Sequence, residues 1–157
     1  MLDVGRHPNI KLRAYTEVEK VQGETGNFTV TLRKKARYVD EAKCTGCGAC
    51  VEKCPTLVPD AFNEGLGNRK AIYSWFAQGI PSTHTIDAQA CRVFNGKKCG
   101  ICQKTCQADA VNFEQQDELL DLDIGAIIVA TGYDVFDPGR IPEYRYNDLD
   151  NVVTAIE

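Results

Sequence analysis

The chain has 157 residues, 43% of them hydrophobic and 25% charged, with a formal net charge of −4; this is the composition of a globular protein and excludes disorder as the main state. No stretch approaches the roughly eighteen consecutive apolar residues of a membrane span, and residues 1–10 lack the apolar run of a secretory signal, so a cytoplasmic location is expected. Residues 1–43 carry 9 basic and 6 acidic side chains, 44–106 carry 7 and 4, and 107–157 carry 2 and 12. That distribution contains no dense basic stripe, so nucleic acid is not an expected partner.

In chain order, residues 10–15 and 28–32 alternate apolar and polar positions, with Val18 and Val21 between them and turn chemistry at Gly23 and Gly26-Asn27. The pattern predicts a two- or three-stranded antiparallel meander. From about residue 36 to 116 cysteine, glycine and proline replace periodicity, and loops are expected. Gly125-Ala126-Ile127-Ile128-Val129-Ala130 then forms a short continuous apolar run before Thr131-Gly132. Its length and β-branched content predict a fully buried, parallel strand. Such a strand needs neighbours on both sides and cover on both faces, which the acidic tail cannot supply. The expected organisation is therefore a cysteine-rich domain, residues 37–118, inserted into a larger host. Residues 1–36 would be the cut end of that host as a β-meander, and residues 119–157 the buried strand plus an acidic tail. The rival is a free-standing protein whose flanks pack on each other.

All 8 cysteines fall between Cys44 and Cys106. A reducing compartment and spacings of two or three residues disfavour a disulfide framework. Val39-Asp40-Glu41-Ala42-Lys43-Cys44 aligns with Ile86-Asp87-Ala88-Gln89-Ala90-Cys91, and each half then runs through a cysteine cluster. Such a repeat implies pseudo-twofold halves. The first cluster, Cys44-x-x-Cys47-x-x-Cys50-x-x-x-Cys54-Pro55, is the bacterial ferredoxin run without deviation. Three thiolates two residues apart wrap one loop around three corners of a cube, and Gly46 and Gly48 let backbone N–H groups approach the cofactor. The fourth cysteine of such a run ligates the other cluster. Cluster one then uses Cys44, Cys47, Cys50 and Cys106, and cluster two uses Cys54, Cys91, Cys99 and Cys102, which consumes every cysteine. The second half departs from the pattern in the residues between Cys91 and Cys99 and in Gln107, where proline is usual. The alternative is a zinc-stabilised structural or interaction domain, four thiolates to each ion, with no redox role.

Lys53, Lys97, Lys98 and Lys104 either offset the negative charge of ligated clusters or form a solvated face. His7 and His84 lie outside the cysteine runs and are assigned surface or turn roles. Trp75 and Phe76 are expected in core or interface packing. Tyr38, Val39, Ile101, Val111 and Phe113 flank the ligands and are expected to form an apolar shell that keeps water away. No residue is assigned acid–base or nucleophilic work, so no catalytic residue is expected.

The chain resembles the A-type iron-sulfur flavoprotein subunit of heterodisulfide reductase, in the region of its ferredoxin-like insert. The resemblance is carried by His7-Pro8-Asn9-Ile10, Gly26-Asn27-Phe28, Lys35-Ala36-Arg37-Tyr38-Val39-Asp40 and the cysteine run. It continues through Glu64-Gly65-Leu66, Arg69-Lys70-Ala71-Ile72-Tyr73, Phe76, Gln78 and Pro81, and ends at residues 125–134. Departures are Ser74 and Ala77, where prolines would be expected, and Gln107. The resemblance implies an oxidoreductase component that passes electrons through iron-sulfur clusters in the reduction of a mixed disulfide. Its partners would be other redox subunits together with the rest of the flavin subunit. In that light Ala130-Thr131-Gly132 looks like the turn after a strand of an FAD-binding fold. The glycine-rich dinucleotide fingerprint is absent from the sequence, so FAD is expected in the full-length parent only. The resulting expectation is an α+β chain: a bacterial-ferredoxin-like domain with two [4Fe-4S] clusters, flanked by strands of an incomplete FAD-binding domain. It would act as an electron carrier.

Overall fold

The computed structural model describes residues 2–75 and 77–157; Phe76, expected in core or interface packing, lies outside them. The chain divides into two units, residues 1–58 with 69–126 and residues 59–68 with 127–157.

The first unit opens with a short exposed helix, α1 (Leu2–Arg6). Strands β1 (Thr16–Glu24) and β2 (Asn27–Lys34) then form an antiparallel hairpin. Gly26, in the two-residue loop between them, sits at φ 90°, where a side chain would be strained. The register places Val18 opposite Leu32 and Val21 opposite Val30, with a bulge between Val18 and Lys20. The expected strand at residues 10–15 is absent: Ile10 and Leu12 are exposed. Tyr15 adopts φ 59°, which breaks the extended path, and pairing begins only at Thr16.

The cysteine-rich part contains α2 (Ala49–Lys53), the two-stranded ribbon of β3 (Leu57–Pro59) and β4 (Asn68–Lys70), the pair β5 (Ile72–Tyr73) and β6 (Thr85–Ile86), and α3 (Ile101–Thr105); β7 (Glu118–Ile124) follows it. Several hydrogen bonds recur at equivalent positions of the sequence repeat. Asp40 N donates to Ala110 O at 2.7 Å and Asp87 N to Ala71 O at 2.8 Å. Each aspartate then closes a turn into a cysteine: Cys44 N reaches Asp40 O and Cys91 N reaches Asp87 O, both at 2.9 Å. The side chains repeat the pattern, with Ala42 N on Asp40 Oδ1 at 2.9 Å and Gln89 N on Asp87 Oδ1 at 3.0 Å. Val39 bridges Val111 in one half, as Ile86 pairs with Ile72 in the other. These four side chains, with Ala71 and Ala110, are between 1% and 5% exposed and form the core on which both cysteine clusters rest. Each large aliphatic buried there contributes about 1.5–3 kcal/mol.

Strand β7 closes the first sheet by covering the free edge of β2. Its residues alternate in sequence, and it pairs antiparallel along β2 from Phe28↔Ile124 to Lys34↔Glu118. Leu120, Leu122 and Ile124 stand opposite Leu32, Val30 and Phe28. On the alternate positions Thr29 and Thr31 donate their hydroxyls to Asp123 and Asp121 at 2.9 and 2.6 Å, and Arg33 pairs with Glu17 and Glu19 at 2.9 and 2.6 Å. The sheet thus has one apolar and one charged face, the arrangement that alternation encodes.

In the second unit, Asp60 accepts from Phe62 N at 3.1 Å to cap the 3₁₀ turn Ala61–Asn63, and Tyr146 Oη donates to Glu157 Oε1 at 2.6 Å. The apolar run expected as a buried parallel strand lies outside the strands. Ile127, Ile128 and Val129 are 42%, 93% and 76% exposed. The edge of the sheet goes instead to the alternating residues 118–124, which can satisfy one apolar and one wet face. A continuous run needs partners on both sides. Among the described residues no helix is long and apolar enough to cross a membrane.

Candidate iron-sulfur centre

Two cavities gather the eight cysteines into two sets of four. The first, of about 300 Å³, is lined by Cys44, Cys47, Cys50 and Cys106, with Val39, His84, Ala110 and Val111. The second, a narrow space of about 20 Å³, is lined by Cys54, Cys91, Cys99 and Cys102, with Pro55, Ile72, Ile86 and Ile101. Each set takes three cysteines from one loop and one from the other, because the short helices deliver their last residues across the core. Helix α2 starts after Gly48 at φ 79° and ends at Cys54, which is extended with ψ 124°. Helix α3 repeats this, starting after Gly100 at φ 108° and ending at extended Cys106 with ψ 103°. Cys50 and Cys102 therefore point inward from the helices, while Cys54 and Cys106 leave them toward the opposite cavity.

The residues between Cys91 and Cys99 are folded and do not loosen the second set. Asn95 Nδ2 donates to Gln89 O at 2.8 Å and to Cys91 O at 2.9 Å, and Lys97 N donates to Arg92 O at 2.9 Å. Phe94 from this turn stacks against Tyr38 and Phe113, with ring centroids 4.4 and 5.8 Å apart. Val39, Val111, Tyr38 and Phe113 pack around the cysteines as the sequence suggests, whereas Ile101 is 41% exposed at the wall of the second cavity. Lys53, Lys97, Lys98 and Lys104 are all exposed. Trp75, 46% exposed, meets Tyr73 edge-on at 5.5 Å.

Burial pushes the thiols of Cys50 and Cys102 up to about 11; Cys44 adds to the shift at Cys50, and Cys91, Cys54 and Cys99 add to it at Cys102. Cys102 also acts on Cys50, so the two sets lie within electrostatic range of each other. Four thiolates so placed are costly without positive charge between them, and metal ligation supplies it. Ala110 N already directs its N–H to Cys106 Sγ at 3.3 Å, the kind of backbone donor that stabilises a ligated sulfur. Among the described residues no three or more His, Cys, Asp or Glu side chains converge closely enough to hold a single metal ion. The four cysteines of the first set line a space of about 300 Å³, room that a polynuclear iron-sulfur body, which soft thiolates select, would fill and one tetrahedral ion would not.

Gly46 and Gly48, both at positive φ, differ in their surroundings. A Cβ on Gly46 would stand 2.7 Å from Ser82 O, while one on Gly48 would meet nothing within 4 Å. Gly46→Ala is therefore expected to lower the iron bound by the first cysteine set, and Gly48→Ala to retain it at the cost of about 1–2 kcal/mol of backbone strain. Iron content per chain checks the contrast.

Sequence reasoning misplaces the histidine at position 84. His84 is 6% exposed, with Thr83, Thr85 and Ile86 buried beside it, and it is one of the residues lining the first cavity. Burial holds it below the usual histidine range, which favours the neutral imidazole. Sequence spacing carries no signal for it, because it reaches the cysteines through the β5–β6 pair and not through their loop. His7 is exposed and accepts from Asn9 N at 3.2 Å.

Fold and site together define a cysteine-rich domain of the ferredoxin type, and the 4Fe-4S binding domain family matches residues 37–60. Over its whole length the chain is similar to the A-type iron-sulfur subunits of heterodisulfide reductases. It is 49% identical to the CoB-CoM heterodisulfide reductase iron-sulfur subunit of this type from Methanocaldococcus jannaschii and 54% identical to one from Methanopyrus kandleri, in each case over 157 residues. A heterodisulfide reductase A-like protein of Archaeoglobus profundus is 44% identical over 177 residues. All 157 residues are matched, and they span 23% of the length of the first two relatives and 25% of the third. The chain is thus homologous, from end to end, to a segment of the A-type iron-sulfur subunit of heterodisulfide reductases.

Proposed function

We propose that the chain is an electron-transfer module that holds two [4Fe-4S] clusters within a heterodisulfide-reductase-like flavoprotein. The observation that carries this reading is the division of eight cysteines into two crossed sets of four around separate cavities. Cys44, Cys47, Cys50 and Cys106 would hold one cluster, and Cys54, Cys91, Cys99 and Cys102 the other. When bound, such clusters supply reversible one-electron chemistry. The chain's own residues fix their separation, exclude water with Val39, Val111, Ile72 and Ile86, and direct backbone N–H groups to sulfur. Cys47 is the exposed ligand, so a redox partner approaches most closely on its side. The paired turns at Asp40 and Asp87 support pseudo-twofold halves. On this reading residues 37–118 are the insert, and residues 1–36 and 119–157 belong to a flavin domain. FAD is then held by the parent, and the partners are the other redox subunits of its complex together with the rest of the parent chain. The relatives' names point to a CoB-CoM heterodisulfide as the eventual acceptor.

The test is iron, acid-labile sulfide and zinc content after anaerobic purification, with electron paramagnetic resonance of the reduced protein. Two clusters predict about eight iron and eight sulfide in this segment, with spin-coupled signals. About two zinc and no sulfide, with reconstitution by iron and sulfide also failing, would replace the electron carrier by a zinc-stabilised interaction domain.

A further inference from the structure

The first cavity is lined by a side chain that no described residue satisfies. Both ring nitrogens of His84 are buried and neither has a hydrogen-bond partner among the described residues. An imidazole carries at least one N–H, and leaving a buried donor unpaired costs about 1–3 kcal/mol. Thr85, the next residue, has its hydroxyl engaged by Arg37 Nη1 at 3.1 Å. Gly46, in the first cysteine loop, lies so near Ser82 O that it has no room for a Cβ. The segment bearing the histidine is therefore pinned against the loop that carries Cys44 and Cys47. His84 lines the same cavity as the four cysteines, together with Thr45 and Gln107.

The second cavity has no equivalent. In the repeat, Arg37-Tyr38-Val39-Asp40 aligns with His84-Thr85-Ile86-Asp87, so the position of His84 is held by Arg37. Arg37 Nε pairs with Glu41 at 2.7 Å, and the residue lines neither cysteine cavity. The walls of the second set beyond its cysteines are aliphatic apart from Thr56 and the exposed Arg92. The buried imidazole is thus a feature of the first set, beside the Ala110 N–H that already reaches Cys106 Sγ there, and the lining of the second set contains no histidine.

We propose that His84 donates a ring N–H to a sulfur at the centre held by Cys44, Cys47, Cys50 and Cys106, making that centre the higher-potential one of the pair. A donor aimed at sulfur stabilises the reduced state more than the oxidised one, because reduction adds negative charge to the acceptor. His84 is a positioning and tuning residue here and transfers nothing itself. The inference rests on the two-cluster reading.

The test uses the full-length protein, purified anaerobically, and compares wild type with His84→Leu, His84→Gln and His84→Asn in redox titrations followed by electron paramagnetic resonance. The signal lost in Cys106→Ser identifies the relevant centre. His84→Leu is expected to lower its one-electron reduction constant by about tenfold, about 59 mV, with the other centre unmoved, and at least one amide variant is expected to restore most of the loss. Pulsed spectra of protein labelled with ¹⁵N-histidine should show a nitrogen coupling to the reduced centre that His84→Gln abolishes. An unchanged potential in His84→Leu, equal shifts in all three variants, or no histidine coupling in wild type overturns the proposal. Should His84→Leu lose its clusters, the amide variants and the wild-type coupling still decide. Absence of iron and sulfide from the wild type would instead overturn the two-cluster reading itself.

Discussion

On the proposed two-cluster reading, alanine at Cys106 is expected to remove the same cluster as alanine at Cys44, and to leave intact the cluster that alanine at Cys102 removes. By sequence alone Cys106 ends the run Cys99-x-x-Cys102-x-x-x-Cys106, and a local grouping would make it the fourth ligand of its own loop. The structure places it instead at the first cavity, extended away from the end of α3, while Cys102 faces the second. The symmetric exchange holds at Cys54, which leaves α2 for the cavity of Cys91, Cys99 and Cys102. Each single alanine variant should lose about four of the eight iron atoms. Spin coupling between the two clusters should vanish in all of them. The residual spectra should sort into two classes, Cys44, Cys47, Cys50 and Cys106 in one and Cys54, Cys91, Cys99 and Cys102 in the other. A spectrum for Cys106→Ala that matches Cys102→Ala would show local grouping and defeat the crossed arrangement.

The parts of this site legible in the sequence are those where chemistry dictates spacing. The first run places a sulfur at every third residue from Cys44 to Cys50, and a repeated Asp four residues before a cysteine marks the same turn twice. His84 and Phe94 obey no such rule. His84 comes to the first cavity from the β5–β6 pair, and Phe94 meets Tyr38 and Phe113 from the turn between Cys91 and Cys99; both placements are set by tertiary packing, and neither residue's local sequence predicts its contacts. In the sheet, alternation identifies β2 but is outweighed at the other end by the apolar run at residues 125–130. Leu120-Asp121-Leu122-Asp123-Ile124 carries the two-residue period that an antiparallel partner reads, and it is this segment that pairs. At residues 10–15 the alternation is present, yet one residue in the left-handed region, Tyr15, decides where the strand begins. Backbone conformation of that kind is set by tertiary surroundings and is invisible to a period.

Aspartate at Ile128 is expected to have opposite consequences in the isolated 157-residue chain and in a full-length flavoprotein that contains it. Ile128 is 93% exposed and Val129 76% exposed, so a charge there falls among surface substitutions, which change stability by about 0.5 kcal/mol or less. Yet residues 125–130 have the composition of a strand covered on both faces, and Ile128 buried in such a strand contributes about 1.5–3 kcal/mol. Placing an unpaired carboxylate at that position in a completed sheet adds a desolvation penalty of several kcal/mol. If residues 119–157 return to a flavin domain as proposed, Ile128→Asp in the full-length protein should lower its unfolding temperature markedly and reduce the FAD retained on purification. The iron and sulfide of the cysteine domain, whose ligands all lie before residue 107, should be kept. Thermal unfolding and flavin-to-protein ratio measure the two effects, and Ile128→Val, which preserves the β-branched surface, should show neither. A full-length Ile128→Asp protein with unaltered unfolding temperature and flavin content would mean that the run remains at the surface, and would remove the flavin-domain reading of residues 119–157.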